Sequence, residues 1–114
     1  MTVINSVLGP LDTADMGFTL MHEHIFGAAA GITQNYPGLM EKDYMKYIIG
    51  GLKEAKAGGI DTVVDATTVD LGRDVNIMAE ASRKSGVNII ACTGWWLTVP
   101  RFVSGTTPDQ WAEV

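Results

Sequence analysis

The 114-residue sequence has few basic residues, few charged residues overall and a single cysteine. Eight Lys and Arg against 13 Asp and Glu give a formal net charge of −5. That balance argues against a nucleic-acid surface or a face for anionic membranes, because both need clustered positive charge. The lone Cys92 excludes an internal disulfide framework and a cysteine-based zinc site.

Long apolar runs and targeting signals are also lacking. No uncharged apolar run approaches the roughly 18 residues of a membrane span. The first 20 residues lack the basic stretch and apolar run of a secretory signal peptide, so a reducing cytoplasm is the expected compartment. What the sequence does have is 46% hydrophobic residues and 13 glycines. This composition is too apolar for a disordered chain and too rich in glycine for a plain helical bundle.

The hydrophobic pattern predicts strands that alternate with helices. The expected order is an N-terminal hairpin broken at Gly9-Pro10, strand 18–25, helix 41–57, strand 60–67, helix 74–85, strand 87–93 and a helix running from Thr107 to Val114. The first long helix places Tyr44, Ile48, Leu52 and Ala55 on one face. The second places Val75, Met78, Ala79 and Ser82 on one side.

A weak internal repeat indicates how the strands are arranged. The segments GIDTVV at 59–64 and GVNIIA at 86–91 both lie where a helix ends and a strand begins. Near-continuous apolar strands that alternate with helices are typical of a parallel sheet. We therefore predict an α/β fold, the N-terminal part of a (β/α)8 TIM barrel. It comprises the first two β/α units and part of the third, preceded by a small hairpin.

The length bears on the domain organisation. A closed eight-fold barrel needs about 250 residues. We therefore expect residues 1–114 to be the N-terminal fragment of a single barrel domain. The alternative is a stand-alone three-layer α/β domain.

The two histidines of the chain, His22 and His24, flank Glu23 in a predicted strand. Residues i and i+2 of a strand face the same side, so both imidazoles project together and can share one divalent metal. Two ligands do not complete a zinc site. The others would come from Glu23, Asp65, Asp70 or sequence beyond these residues. The alternative is a pair of hydrogen-bonded core histidines.

Three segments together resemble the phosphotriesterase family of the amidohydrolase superfamily. They are GPLDTADMGFTLMHEHIFG at 9–27, TTVDLGRD at 67–74 and TGWW at 93–96. The resemblance implies a (β/α)8 barrel with two divalent metal ions, usually zinc, at the carboxyl ends of its strands. By the same resemblance His22 and His24 bind the more buried metal. The family's other ligands, a carbamylated lysine, two histidines and an aspartate, cannot be placed in these 114 residues.

The resemblance also implies a substrate pocket. Trp96 matches an aromatic residue that packs against the leaving group, and Leu97 stands where some members carry a second aromatic residue. Gly27 matches a glycine that leaves room for a small substituent. The alternative for the Trp95-Trp96 pair is that one ring only covers the barrel rim. No catalytic residue is assigned beyond the metal ligands.

Several other residues near the predicted strand ends admit structural roles. Arg73 and Asp74 are expected to form a structural ion pair and an acidic helix start, and the alternative is that they orient the loop over the metals. Asp65 would either support a ligating histidine or cap a buried turn. Cys92 is expected to pack as a small apolar residue.

The implied function is that of a zinc-dependent hydrolase of phosphotriesters or related esters, aryldialkylphosphatase-like when intact and inactive as a fragment. The alternatives are a lactonase of the same family and a truncated, non-catalytic interaction chain. The expected partner is a small-molecule ester, with neither nucleic acid nor membrane, and the intact protein is expected to form a homodimer.

Overall fold

Three parallel strands form the main sheet of the computed structural model, which describes residues 1–97 and 99–112. They are β3 (Thr19–Glu23), β4 (Thr62–Asp65) and β5 (Asn88–Ala91). Two further strands, β1 (Val3–Ser6) and β2 (Gly9–Asp12), form the antiparallel N-terminal hairpin. The α-helices are α1 (Ile32–Asn35), α2 (Tyr44–Ala57), α3 (Val75–Ser85) and α4 (Pro108–Trp111). Short 3-10 turns cover Thr13–Asp15, Pro37–Leu39, Val69–Leu71 and Arg101–Val103. The last two residues of the predicted C-terminal helix, 113 and 114, lie outside the described residues.

The sheet order is β3-β4-β5, with every pairing parallel. Helix α2 connects β3 to β4, helix α3 connects β4 to β5, and the two helices contact each other. Parallel strands put their carboxyl ends at one edge of the sheet, so the loops after β3, β4 and β5 meet there. The predicted alternation of parallel strands and helices is confirmed.

The hydrophobic core lies between the sheet and its two helices. Its buried members are Leu52, Val63, Met78, Ala81, Val87 and Ile89. Tyr44, Ile48 and Ala55 are half-buried on the same face of α2 as Leu52, as the helical spacing predicts. This core fixes the strands whose ends carry the candidate site.

The side of α3 that packs on the core only partly coincides with the side predicted from the spacing. The buried residues are Ile77, Met78, Ala81 and Ser82, whereas Val75 is 50% exposed. The reason is the helix start, where the Asp74 carboxylate accepts hydrogen bonds from the backbone N–H groups of Asn76 and Ile77. Asp74 itself faces inward, 8% exposed, so the residue after it points to solvent.

Two predicted boundaries also shift. Helix α2 begins at Tyr44, three residues later than predicted, because Asp43 has a left-handed φ of 69°. The hairpin turns at Val7 and Leu8, and Gly9-Pro10 opens β2 instead of breaking the strand. The Ser6 hydroxyl closes that turn by donating to the Gly9 carbonyl at 2.8 Å.

The hairpin docks on the main sheet through a hydrogen bond of 2.9 Å from Val7 N to the Ile89 carbonyl.

Within the described residues, no helix combines the length and apolar character required to cross a bilayer.

Candidate metal centre and substrate pocket

A cavity of about 560 Å³ opens at the carboxyl ends of the three parallel strands. Its walls come from the segments that follow β3, β4 and β5: His22, His24, Gly27, Ala28, Ala66, Thr67, Leu71 and Trp96. In barrels built from β/α units, active sites lie at this end of the strands. Four of the five site residues predicted from the sequence therefore line this cavity: His22, His24, Gly27 and Trp96.

The two histidines lie side by side at this cavity, as the strand spacing predicts. Their ring centroids are 5.4 Å apart and the ring planes meet at 70°. Two imidazoles bound to one tetrahedral zinc have centroids about 5 Å apart, given Zn–N distances of ~2.1 Å. The pair therefore fits a shared divalent ion. Among residues 1–97 and 99–112, no group of three or more His, Cys, Asp or Glu side chains is placed to hold a metal.

The buried hydroxyl of Thr67 contacts one nitrogen of His24. The distance between His24 Nδ1 and Thr67 Oγ1 is 3.0 Å, and the same hydroxyl donates to the Phe26 carbonyl at 3.3 Å. A hydroxyl has one proton, so when it donates to Phe26 it must accept from Nδ1–H. That tautomer leaves the lone pair of His24 on Nε2, available for a metal. Sequence reasoning missed Thr67, although its place just after β4 could have marked it.

Asp65 acts as a buried cap, one of its two predicted alternatives. Its side chain is fully buried and accepts from Ile25 N at 2.9 Å and from Thr67 N at 2.7 Å. One carboxylate thereby joins the turn after β3 to the turn after β4. It positions Thr67, which in turn contacts His24.

The predicted pocket residues take different places. Trp96 lines the cavity, and so does Gly27, where an added methyl group would meet no atom within 4 Å. Leu97 is 73% exposed and is absent from the cavity lining formed by the described residues. Trp95 packs edge-on against Trp111, with ring centroids 5.9 Å apart. Of the two adjacent tryptophans, the second faces the cavity.

Asp70, considered above as a metal ligand, instead binds the loop after β5. Its carboxylate accepts from Trp96 N at 2.9 Å, from Leu97 N at 3.3 Å and from the Thr68 hydroxyl at 2.5 Å. The Thr68 hydroxyl, followed by the Trp96 N–H, lowers the pKa of the Asp70 carboxyl from its ordinary value. These bonds stabilise the charged form, so the carboxylate is ionised at neutral pH.

The remaining polar residues near the cavity hold its loops in place. Asp74 caps α3, as predicted for an acidic helix start, and also accepts from Thr33 Oγ1 at 2.8 Å and Gln34 Nε2 at 2.6 Å. Arg73 Nη1 donates to the Cys92 carbonyl at 2.6 Å. Burial raises the pKa of the Cys92 thiol, which favours its protonated form at neutral pH.

Comparisons with known proteins agree with this architecture. The profile of the phosphotriesterase family matches residues 2–113. The phosphotriesterase homology protein of Mycobacterium tuberculosis (strain ATCC 25618 / H37Rv) is 43% identical over 96 residues, which cover 82% of this chain and 29% of that protein. The aryldialkylphosphatase of Saccharolobus solfataricus is 32% identical over 107 residues, covering 91% of this chain and 34% of that protein.

A solved structure, that of the phosphotriesterase from Mycobacterium tuberculosis, matches with a TM-score of 0.78 at 39% identity. The match covers 90% of this chain and 33% of that one, so the chain spans about a third of the length of its relatives. The predicted fold class, part of a TIM barrel, is confirmed. Profile, relatives and structure agree, and the chain belongs to the phosphotriesterase family.

Proposed function

We propose that the intact protein is a zinc-dependent hydrolase of phosphotriesters or related uncharged esters. The observation that carries the proposal is the pair of imidazoles 5.4 Å apart on the wall of a cavity that Trp96 also lines. The 32% identity to an aryldialkylphosphatase supports the same reaction class. Two divalent ions are expected in the intact protein, and His22 and His24 would hold one of them.

Five of the residues that line the cavity have a role in this proposal. When bound, a divalent metal lowers the pKa of water and polarises the ester oxygen. His22 and His24 would hold that ion, and the Thr67 hydroxyl would keep the His24 ring in the tautomer that presents Nε2. Trp96 would pack against the leaving group, and Gly27 would leave space for a small substituent.

The described cavity wall suits uncharged substituents on the substrate. Its described lining contains no Lys, Arg, Asp or Glu, and apart from the two histidines and Thr67 it is built from Gly, Ala, Leu and Trp. Anionic phosphates are usually bound by Arg or Lys side chains or by a helix N-terminus. A neutral triester or a lactone needs no such partner and gains from burial against apolar side chains.

The test is metal content and hydrolysis measured together on the intact protein. His22→Ala and His24→Ala are expected to lose the bound metal and to abolish hydrolysis of an aryl phosphotriester. Asp15→Asn is the matched control, because Asp15 is an exposed residue in the turn Thr13–Asp15, away from the cavity. Full zinc content and an unchanged rate in either histidine variant would contradict the ligand assignment.

A lactone in the same panel separates the two enzymatic alternatives. Faster turnover of the phosphotriester supports the leading proposal, and faster turnover of the lactone supports a lactonase. A zinc-loaded intact protein that hydrolyses neither would support the non-catalytic alternative.

A further inference from the structure

In the loop that carries Trp96, Trp95 packs against Trp111, but Trp96 and Leu97 themselves are largely exposed. Residues 94–97 lie outside any helix or strand, and the side chains of Trp96 and Leu97 are 65% and 73% exposed. Side chains this exposed contribute little packing to hold a loop in one conformation. The position of Trp96 at the cavity therefore needs another anchor.

Asp70 supplies that anchor with both oxygens of its carboxylate. Oδ1 accepts from Trp96 N at 2.9 Å, and Oδ2 accepts from Leu97 N at 3.3 Å. The Thr68 hydroxyl donates to Oδ1 at 2.5 Å and so orients the carboxylate from the other side. A weaker bond of 3.4 Å from Val69 N to the Gly94 carbonyl joins the same two loops.

The turn that bears Asp70 is itself fixed to the cavity wall. The Leu71 carbonyl accepts from Ala28 N at 2.8 Å, which ties this turn to the loop after β3. Leu71 and Ala28 both line the cavity. The carboxylate of Asp70 thus links the turn that carries one lining residue, Leu71, to the exposed loop that carries another, Trp96.

We propose that Asp70 is a positioning residue that holds Trp96 at the cavity and thereby sets substrate affinity and selectivity. The proposal rests on the proposed ester hydrolysis for its effect on substrate, but the effect on Trp96 itself does not depend on any reaction. Asp70 is absent from the described cavity lining, so it acts through the loop.

The chemistry of the anchor requires a carboxylate. Two consecutive backbone N–H groups point to two different oxygens, and only an ionised acid offers an acceptor at both places. An asparagine keeps one acceptor and presents an NH₂ group to the other N–H. The lowered pKa of Asp70 agrees with an acid whose charged form is stabilised by these donors.

The experiment uses the intact protein labelled with 5-fluorotryptophan, with the Trp96 resonance identified by its loss in Trp96→Phe. Asp70→Asn is expected to shift or broaden that ¹⁹F resonance and to leave zinc content unchanged. Substrate KM should rise about tenfold while kcat changes much less, because the reacting centre is untouched. Asp70→Ala should have the larger effect on both readouts.

Two further variants complete the test. Asp15→Asn removes the same charge far from the cavity and is expected to change neither readout. Thr68→Val removes only the hydroxyl, so it should move the Trp96 resonance in the same direction by a smaller amount. If the Asp70 variants do not fold, the Thr68→Val variant still tests whether the Asp70 carboxylate holds Trp96.

An unchanged Trp96 resonance in every folded variant of Asp70 and Thr68, with KM within twofold of the parent, would overturn the proposal. A parent protein that hydrolyses no ester would overturn the proposed function instead. The resonance would then still decide whether Asp70 holds the Trp96 loop.

Discussion

At the scale of single residues, the hydroxyl of Thr67 is expected to affect the zinc affinity of the site through His24. It contacts His24 Nδ1 at 3.0 Å and is fully buried, so Thr67→Val removes the contact with little change of volume. Loss of a hydrogen-bond partner behind a metal-binding histidine typically lowers metal affinity by about 10- to 100-fold. We expect a decrease of that size for the intact protein, measured by zinc competition with a chromophoric chelator.

The matched control is Thr67→Ser, which retains the hydroxyl and should retain most of the affinity. Equal zinc affinity in the parent protein and in Thr67→Val would mean that the hydroxyl does not orient His24.

Asp61 is expected to make the stability of the folded protein depend on pH in the acidic range. Its carboxylate pairs with Lys56 Nζ at 2.7 Å and accepts from Phe18 N at 3.1 Å. The Lys56 hydrogen bond, followed by the Phe18 N–H, lowers the pKa of Asp61 in the folded state. An acid with a lowered folded pKa stabilises the protein fully above its unfolded pKa of about 3.9. That contribution is lost as pH falls through the folded value.

The Asp61→Asn variant should therefore unfold at a lower temperature than the parent at pH 6, with the gap closing below about pH 4. Thermal unfolding over a pH series measures it. A gap of constant size across the series would argue against the ionised pair as its origin.

At the scale of elements, Gly72 joins two loops of the cavity at close range. Its φ is +85°, and an added Cβ would meet the backbone of Ala28, 3.0 Å from the carbonyl carbon. Gly86 has a similar φ of +77° with no atom within 4 Å of an added Cβ. Comparing the two positions separates backbone strain from contact.

We expect Gly86→Ala to lower the free energy of unfolding by about 1 kcal/mol through strain alone. Gly72→Ala should cost about 2–3 kcal/mol, because strain and contact add, and should also alter KM by displacing Ala28. Urea unfolding and steady-state kinetics measure the two effects. Equal losses of stability with an unchanged KM would show that Ala28 moves aside at no cost.

The elements themselves were largely predictable from the sequence, and the loops were not. Apolar periodicity located α2, α3 and the three parallel strands to within about three residues, because core burial and helical or strand spacing are coupled. For α3, helical spacing fits two overlapping sides, and the structure buries the one with Ile77 and Ala81 instead of the one with Val75 and Ala79. On the buried side Asp74 faces inward and binds Thr33 and Gln34, which lie about 40 residues earlier in the chain. Spacing alone carries no signal for such a contact.

The same limit applies to the candidate site. The spacing of His22 and His24 predicted two adjacent imidazoles, since strand alternation is local. The roles of Thr67 and Asp70 depend on contacts between residues 43 and 26 positions apart, respectively, which no local pattern encodes.

At the scale of the whole molecule, the chain spans about a third of the length of its relatives, and its described residues supply two candidate metal ligands. Zinc sites in proteins usually need three or four protein ligands. We therefore expect the 114-residue chain, made alone, to bind zinc much more weakly than the intact protein. Equilibrium dialysis against zinc measures the difference, and two tightly bound ions per isolated chain would contradict the ligand assignment.

The bonds between the loops after β3 and β4 also bear on how this cavity can be redesigned or diversified. Ala28 N binds the Leu71 carbonyl, Thr33 and Gln34 bind Asp74, and the Thr67 hydroxyl binds the Phe26 carbonyl, so several hydrogen bonds join the two loops. Transplanting one loop from a relative would leave the other with unmet partners. The two loops form one exchangeable unit, and a chimaera that transfers them as a pair keeps these hydrogen-bond partners together.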